Sequence, residues 1–327
     1  MECQAKKHLN RFLEIKSFVE QADDFLITTH IRSDGDSITS ILLFASLLRF
    51  LKKRFCVYVD DEIPKKLNFL PDIKIVENGN KKGCAFQPRC LVVMDCSSLD
   101  RVGCIKKYSS KDSVIINIDH HPGNQFFGQF NLVDPEESST VEIVYALFSL
   151  WNIPLSPEIA TLIYTGIMSD TGKFVFPNTT YRSLSICAEM VKHGAKPDVI
   201  ASNLYFRNSI DTLKALAAAL NTLEFYCDGA ISCIHLSYQD LTQNGEVDTE
   251  GFVDYLLTIE DTEVVFFMLE EKKDFYRVSF RSKRKVDVNE VSKYFDGGGH
   301  SRASGCCIAG KLNEVKNRIL DRIKIYL

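Results

Sequence analysis

The sequence lacks the cysteine pattern of a disulfide-stabilised or zinc-binding protein. Its 11 cysteines are odd in number, no two form a C-x-x-C pair, and the adjacent Cys306 and Cys307 are poorly placed to bridge each other or to chelate one metal. This absence argues against a disulfide framework. We interpret most of the cysteines as small buried apolar residues in a reducing cytoplasm.

Long apolar runs and an excess of basic charge are missing as well. The most apolar stretch, Ile38–Leu51, has 14 residues and contains Arg49, so it is too short to cross a bilayer, and we find no secretory signal. With 39 basic and 43 acidic residues the formal net charge is −4, which does not favour a broad basic surface for long nucleic acid. We therefore expect a cytoplasmic protein with no membrane segment and, if it binds an anion, a small one.

In the first half of the chain, short β-branched runs alternate with helical patterns, which is typical of a mostly parallel α/β sheet flanked by helices. The candidate strands are Phe25–Thr29, Phe55–Val59, Ile73–Val76, Cys90–Met94 and Ser113–Ile118. The candidate helices cover residues 1–24, 138–150, 157–168 and 178–193, with Asn178 or Thr179 as the cap of the last one.

The pattern changes around residues 194–209, and the chain is long enough to bury two cores. The second half contains a predicted helix at Ser209–Phe225 and another at Val288–Phe295, strands at Ala230–Leu236, Glu263–Leu269, Phe275–Arg281 and Gly305–Ala309, and a last helix to Leu327. We assign a catalytic domain to residues 1–195, a linker to 196–210 and a smaller α/β substrate-binding domain to 211–327.

Acidic and imidazole side chains follow three of the predicted strands, and one more acid stands at a predicted helix end. They are His30, Asp34 and Asp36, then Asp95, then Asp119, His120 and His121, and finally Asp170. Ligands of open α/β sheets bind beyond the carboxyl ends of the strands. Taken alone, residues 30–36 could equally be a capped helix start with a surface histidine. A turn-forming acid explains one strand end better than it explains three.

Five carboxylates that converge at short range repel one another unless cations lie between them. Oxygen and imidazole ligands without thiolate suit Mn²⁺, with Mg²⁺, Co²⁺ or Zn²⁺ as alternatives. The number of ligands suits two ions that share a carboxylate and lie about 3.5–4 Å apart. This chemistry is typical of phosphoester hydrolysis.

Four sequence motifs, in this order and spacing, resemble those of the DHH phosphoesterase superfamily. They are H-x-x-x-D-x-D from His30, the strand-ending Asp95, D-H-H from Asp119, and G-x-x-x-D-T-G from Gly166. Phe280-Arg281-Ser282 and the segment 297–305 resemble the DHH-associated C-terminal domain. The resemblance is to the NrnA-type subgroup, compact bacterial enzymes that act on short oligoribonucleotides and on 3′-phosphoadenosine 5′-phosphate.

The resemblance implies a role for each residue of the first domain. One metal would be held by His30, Asp34 and Asp95, and the second by Asp36, Asp95, His120 and Asp170. Asp119 would orient a neighbouring imidazole, and His121 would contact the scissile phosphate as a charge stabiliser or a proton donor. Asp95 would then bridge the two ions.

In the second domain, the resemblance implies that Arg281, Ser282, Gly298, Gly299 and His300 hold the terminal phosphate or nucleotide of the substrate. The active site would lie in the cleft between the domains. From the residues alone, three consecutive glycines are a flexible loop by default, but neighbouring cations favour an anion site, and we add Arg302 to the set. We interpret residues 283–285 as a solvated turn.

The activity implied is hydrolysis of short oligoribonucleotides to nucleoside 5′-monophosphates, and of 3′-phosphoadenosine 5′-phosphate to AMP. The alternatives are a cyclic-dinucleotide phosphodiesterase, a pyrophosphatase or exopolyphosphatase, and a nucleotide- or RNA-binding module without turnover. Lost ligands would favour the binding module, and every expected ligand is present. We expect neither long nucleic acid nor a membrane as partner, and the resemblance allows a homodimer.

Overall fold

The structure is a computed structural model that describes residues 2–81, 83–108, 110, 112–243 and 247–327, without the side chains of residues 2–8 and 243. The chain divides into two compact units, Met1–Arg207 and Asn208–Leu327. The division falls within residues 196–210, which we interpreted as a linker and which contain a helix, Pro197–Tyr205. The catalytic and substrate-binding tasks of the two units stay predictions.

The first unit consists of a parallel sheet flanked by helices. Its strands are β1 (Phe25–Thr28), β2 (Phe55–Val59), β3 (Val76–Asn78), β4 (Cys90–Met94), β5 (Val114–Asp119) and β6 (Phe130–Val133). Its helices are α1 (Glu2–Gln21), α2 (Gly35–Phe50), α3 (Thr140–Leu150), α4 (Pro157–Asp170), α5 (Tyr181–Lys192) and α6 (Pro197–Tyr205). Met1 of the predicted first helix lies outside the described residues. The strand order is β3-β2-β1-β4-β5-β6, so the sequence order of the strands runs in opposite directions on the two sides of the β1–β4 pair. This parallel sheet with helices confirms the predicted α/β fold class.

Alternate residues of each strand face opposite sides of the sheet, so both faces need an apolar cover. Phe25 and Ile27 pack in the larger core with the helices, whereas Leu26 packs on the other side. There the cover is a 3₁₀ segment, Leu99–Tyr108. Burial on both faces explains why the central strands read as continuous apolar runs.

Two details of the predicted strands in this unit are wrong. Ile73–Ile75 forms a 3₁₀ turn, and the extended backbone begins only at Val76. Asp72, in the left-handed conformation with φ of 60°, lies just before that turn. The edge strand β6 was not predicted, because it is short and has Asn131 in its middle.

The second unit is built on a mixed sheet. Its strands are β7 (Glu224–Tyr226), β8 (Ile231–Leu236), β9 (Val264–Lys272), β10 (Phe275–Ser282), β11 (Gly298–His300) and β12 (Ala303–Ala309). Its helices are α7 (Ile210–Leu220), α8 (Tyr238–Gln243), α9 (Val288–Lys293) and α10 (Leu312–Ile323). The strand order is β11-β12-β10-β9-β8-β7, with β8 and β9 parallel and the other pairs antiparallel.

The helix predicted at Ser209–Phe225 is too long. Ser209 caps it, but the helix ends at Leu220 and the chain enters β7 within a few residues. The glycine cluster also differs from the predicted loop, because Gly298 and Gly299 pair with β12. Glycines without side chains leave no local apolar pattern that would indicate a strand.

Cys56 and Cys84 are joined by a disulfide, so these two are exceptions to our interpretation of the cysteines. The other cysteines whose side chains are described are free thiols, and most are buried. In the part of the chain that the structure describes, no helix is both long and apolar enough to cross a membrane.

Candidate metal centre

The predicted ligands gather at one edge of the first sheet. Strand β4 lies between β1 and β5; His30 follows β1 after one residue, Asp95 follows β4 directly, and Asp119 ends β5. Parallel neighbours end at the same edge, and here they do so beside the reversal of strand order. Open α/β sheets bind ligands at this position.

The start of α2 supplies two more carboxylates. Asp34 caps the helix, since its Oδ1 accepts the N–H of Ser37 at 3.0 Å while Ser37 Oγ accepts the N–H of Asp34 at 2.8 Å. A Cβ on Gly35 would lie 2.3 Å from Ser169 Oγ, so only glycine lets α2 begin this close to α4. Asp36 is fully buried in the first turn.

His30, Asp34 and Asp95 form the first cluster of donors. One ligand atom of each lies within 4.8 Å of the others. His30 Nδ1 lies 2.7 Å from the carbonyl oxygen of Ile31, and a proton on Nδ1 makes this contact a hydrogen bond. Nε2, at 3.6 Å from Asp95 Oδ2, is then the nitrogen with a lone pair for a metal.

Asp36, Asp95 and His120 form the second cluster, again with ligand atoms within 4.8 Å of one another. His120 Nε2 lies 3.9 Å from Asp36 Oδ2, 3.7 Å from Asp95 Oδ1 and 3.4 Å from Asp170 Oδ2. Its other nitrogen, Nδ1, lies 3.1 Å from the carbonyl oxygen of Glu137. The structure thus brings Asp170, from the end of α4, to the same imidazole.

Asp95 is the member common to both clusters. Its Oδ2 lies on the side of His30 and its Oδ1 on the side of His120. The residue is almost fully buried and has a φ of 52°, in the left-handed region that aspartate enters more readily than most residues. A carboxylate with one oxygen toward each cluster has the arrangement that two bridged cations require.

The buried carboxylates of the two clusters repel one another. Burial, and then the negative charges of Asp95, Asp170 and Asp34, raise the pKa of Asp36 well above its usual range. Burial and neighbouring acids likewise raise the pKa of Asp170 to about 7. Divalent cations would relieve this repulsion, and the donors are carboxylate oxygens and imidazole nitrogens, which suit Mn²⁺ or Mg²⁺ more than a thiolate-preferring metal. The residues present therefore fit a metal centre.

Asp119 and His121 form a dyad beside the two clusters. His121 Nδ1 lies 2.6 Å from Asp119 Oδ1, and Asn124 Nδ2 donates to Asp119 Oδ2 at 2.5 Å. Burial alone would lower the pKa of His121, but the charge and the hydrogen bond of Asp119 raise it to about 9. Asp119, Asp95 and His121 also have donor atoms within 4.8 Å of one another. The short contact between His121 and Asp119 is the one that the predicted orienting role of Asp119 requires.

Two residues that were not predicted to belong to the site, Thr140 and Asn178, hydrogen-bond to the predicted ligands. Thr140 binds two carboxylates: its N–H donates to Asp36 Oδ2 at 2.8 Å, and its hydroxyl donates to Asp95 Oδ1 at 3.0 Å. Asn178 Nδ2 donates to the carbonyl oxygen of Asp170 at 3.1 Å. The sequence shows these residues only as polar groups at helix starts.

In the second unit, three of the predicted substrate-binding side chains make contacts within the unit. Ser282 Oγ donates to the carbonyl oxygen of Val286 at 2.7 Å, and Arg302 Nη1 donates to the same oxygen at 2.8 Å. Arg281 Nε lies 2.9 Å from Asp254 Oδ1. Ser282 and Arg302 thereby fix the turn between β10 and α9.

The predicted glycines and histidine lie in the short strand β11. Gly299 has a φ of 143°, and a Cβ there would lie 2.5 Å from the carbonyl oxygen of Ala303. A Cβ on Gly298 would meet no described atom within 4 Å. His300 is half-buried at the end of the strand. Glycine is therefore required at position 299 by the backbone, whereas Gly298 leaves open space at the surface of the unit.

Two family models match the chain. Residues 24–167 match the N-terminal domain of the DHH family, and residues 235–327 match the DHHA1 domain. The first range contains seven of the eight predicted residues of the metal centre, all except Asp170. The second contains all six predicted substrate-binding residues.

The chain is similar to proteins of known name along most of its length. It is 31% identical over 300 residues to the bifunctional oligoribonuclease and PAP phosphatase NrnA of Thermus thermophilus, covering 91% of this chain and 88% of that protein. The protein of the same name from Bacillus subtilis is 28% identical, with 88% and 90% covered. A crystal structure of an exopolyphosphatase-related protein from Bacteroides fragilis matches with a TM-score of 0.88 and 26% identity, covering 97% of this chain and 96% of that one.

Proposed function

The chain belongs to the DHH family of metal-dependent phosphoesterases, and from that premise we propose that it hydrolyses short oligoribonucleotides to nucleoside 5′-monophosphates. We propose that it also removes the 3′-phosphate of 3′-phosphoadenosine 5′-phosphate. The observation that carries the proposal is the position of Asp95 between two donor clusters, with one oxygen toward His30 and the other toward His120. The names of the Thermus and Bacillus relatives support the choice of substrates.

Two divalent cations, most consistently Mn²⁺, would occupy the centre. His30, Asp34 and Asp95 would hold one, and Asp36, Asp95, His120 and Asp170 the other. Mg²⁺, Co²⁺ and Zn²⁺ bind the same donor types, so supply in the cell contributes to the choice. When bound, the cations neutralise phosphate oxygens and make a water molecule nucleophilic at neutral pH.

The residues of the chain have three tasks in this reaction. The buried carboxylates would fix where the cations lie. Asp119 hydrogen-bonds to Nδ1 of His121, so Nε2 is the ring nitrogen that would contact a phosphate. His121 then stabilises charge on the phosphate or donates a proton to the leaving oxygen.

We propose that the second unit binds the far end of a short substrate. The backbone N–H groups around Gly298 and Gly299 and the imidazole of His300 would contact its phosphate or nucleotide. Arg281, Ser282 and Arg302 belong to the same predicted set. Because Ser282 and Arg302 already hold the turn between β10 and α9, we propose that they shape this surface as well as contact substrate.

A substrate panel tests the proposal. Purified protein with Mn²⁺ is incubated with linear diadenylate, a five-residue oligoribonucleotide, 3′-phosphoadenosine 5′-phosphate, cyclic diadenylate, pyrophosphate and polyphosphate, and products are separated by ion-pair chromatography. We expect AMP from linear diadenylate and from 3′-phosphoadenosine 5′-phosphate, and the nucleoside 5′-monophosphates of its own bases from the oligoribonucleotide. Activity confined to polyphosphate or pyrophosphate would contradict the proposal, and activity on polyphosphate would agree with the name of the Bacteroides structure. No turnover of any compound would favour a binding module.

The control variants for this panel are Asp95→Asn and Asp100→Asn. The first alters the carboxylate shared by both clusters, and we expect it to abolish turnover. Asp100 is an exposed acid of the same unit that pairs with Lys106 at 2.6 Å, so its variant should keep wild-type rates. We further propose a cytoplasmic location, supported by the predominance of free thiols over the Cys56–Cys84 disulfide among the described cysteines. We also propose a homodimer, which light scattering coupled to size-exclusion chromatography would test.

A further inference from the structure

Thr140, the first residue of α3, donates hydrogen bonds to two of the predicted ligand carboxylates, each through a different group. Its backbone N–H donates to Asp36 Oδ2 at 2.8 Å, and its hydroxyl donates to Asp95 Oδ1 at 3.0 Å. The residue is fully buried. Thr140 therefore hydrogen-bonds both to Asp95, which the two clusters share, and to Asp36 of the second cluster.

Because of its place in the helix, the hydroxyl is available for this contact. Ser139 occupies the N-cap position of α3, although its side chain makes no capping hydrogen bond, and Thr140 lies one residue further into the helix. The next N–H of the helix, that of Val141, donates to Asp36 Oδ1 at 3.2 Å. Both oxygens of Asp36 thus accept hydrogen bonds from backbone N–H groups, whereas Oδ1 of Asp95 accepts its hydrogen bond from a side chain, that of Thr140.

The orientation of Asp95 decides how the two clusters share it. Its Oδ2 lies 3.6 Å from His30 Nε2, and its Oδ1 lies 3.7 Å from His120 Nε2. A carboxylate can rotate about its last torsion at little cost. A hydrogen bond from Thr140 to Oδ1 holds that oxygen on the side of the second cluster and so leaves Oδ2 facing the first.

We propose that Thr140 is a positioning residue of the metal centre: its hydroxyl sets the orientation of Asp95 so that one carboxylate can serve both cations. This inference rests on the proposed two-cation function, and it concerns a residue that the ligand set does not include. Groups that hydrogen-bond to a metal ligand commonly change metal affinity or activity by about 10- to 100-fold when they are removed.

Two substitutions separate the hydroxyl from the shape of the side chain. Thr140→Val keeps the branched shape and loses the donor, and Thr140→Ser keeps the donor and loses a methyl group. Thr165→Val is a matched control, because Thr165 is equally buried but its hydroxyl donates at 2.7 Å to the carbonyl oxygen of Thr161 within α4. All three proteins are first compared with the wild type by circular dichroism and thermal melting.

The readout is binding of Mn²⁺ to metal-free protein, measured by isothermal titration calorimetry and by electron paramagnetic resonance. We expect Thr140→Val to lower the affinity for the second Mn²⁺ by about 10- to 100-fold. The paramagnetic resonance signal of two magnetically coupled ions should weaken as well. Thr140→Ser and Thr165→Val should bind within about threefold of the wild type. In turnover, Thr140→Val should lower kcat with little change in KM.

Two results would overturn the inference: a Thr140→Val protein that binds two Mn²⁺ with wild-type affinity and coupling, or a Thr140→Ser protein that is as impaired as Thr140→Val. Failure of the proposed substrates gives a different pattern. If the wild type cleaves no compound of the panel while Thr140→Val still binds the second Mn²⁺ more weakly than the wild type, the role of Thr140 is supported and only the proposed substrates are contradicted.

Discussion

Replacing Asp119 with asparagine should disable His121 without removing a proposed metal ligand. Both oxygens of Asp119 accept hydrogen bonds, Oδ1 at 2.6 Å from His121 Nδ1 and Oδ2 from Asn124 Nδ2 at 2.5 Å. An asparagine must place its NH₂ group against one of these two donors. Whichever way the amide turns, one contact becomes a clash between donors, or His121 must move its proton from Nδ1 to Nε2.

The magnitude follows from the contact that is lost. A buried hydrogen bond to a charged group contributes about 1.5–3 kcal/mol, which corresponds to about 10- to 150-fold in rate. We expect kcat of Asp119→Asn to fall by that factor with KM within about threefold. Steady-state kinetics on linear diadenylate at saturating Mn²⁺ measures this, with metal content determined in parallel because His120 is the next residue.

A compensating substitution of Asn124, the other hydrogen-bond partner of Asp119, tests this hydrogen-bond reasoning. In the Asp119→Asn/Asn124→Asp protein, the amide can accept from His121 and donate to the new carboxylate, so part of the lost kcat should return. An Asp119→Asn protein with full metal content and kcat within twofold of the wild type would refute the role that we give to Asp119. A double variant no better than the single one would refute the hydrogen-bond reasoning.

Three further predictions concern packing, pH and metal removal. Gly166→Ala places a Cβ 2.4 Å from Val141 Cγ2 and 3.1 Å from Asp36 Oδ1, so urea unfolding should show a loss of about 1–3 kcal/mol; an unchanged midpoint would contradict the close packing of α4. Burial would raise the pKa of Glu263, but the backbone N–H groups of Lys285, Arg284 and Val286 donate to its carboxylate and lower that pKa. A carboxyl group with a lowered pKa stabilises the folded protein at pH values above 4.5, its ordinary pKa, and this stability is lost as the pH falls through the folded-state pKa. Glu263→Gln should therefore lower the free energy of unfolding at pH 7 but not at pH 3. An equal loss at both pH values would contradict the role given to the Glu263 charge. Chelation should lower the melting temperature and added Mn²⁺ restore it, because a ligand of the folded state stabilises by mass action; a melting temperature indifferent to both would argue against a metal centre.

The positions of the central strands could be predicted because each is a local apolar run. Phe55–Val59 and Cys90–Met94 have the predicted bounds. Where a segment depends on its neighbours, prediction failed. β6 is a strand because it pairs with β5 at the edge of the sheet, and its own four residues do not indicate this.

The cap of α5 shows the same limit at a finer scale. We predicted Asn178 or Thr179, but Thr180 caps the helix. Asn178 instead donates to the carbonyl oxygens of Ser138 and Asp170, 40 and 8 residues away in sequence. Asparagine and threonine are both good caps, so a local rule could not choose between them.

The candidate site was predictable as far as parallel strands bring their ends together. His30, Asp95 and Asp119 follow three strands that prove to be neighbours, and Asp170 joins them through the packing of α4 on α2. The groups that orient these ligands were not predictable. Thr140 contacts Asp95 across 45 residues of sequence, and no pattern in a single sequence indicates such a contact.

The sharing of Asp95 by two cations is tested most directly by anomalous diffraction from crystals grown with Mn²⁺. We expect two manganese peaks about 3.5–4 Å apart, one contacted by Asp95 Oδ2 with His30 and Asp34, the other by Asp95 Oδ1 with Asp36, His120 and Asp170. A single peak, or two peaks of which Asp95 contacts only one, would contradict the account.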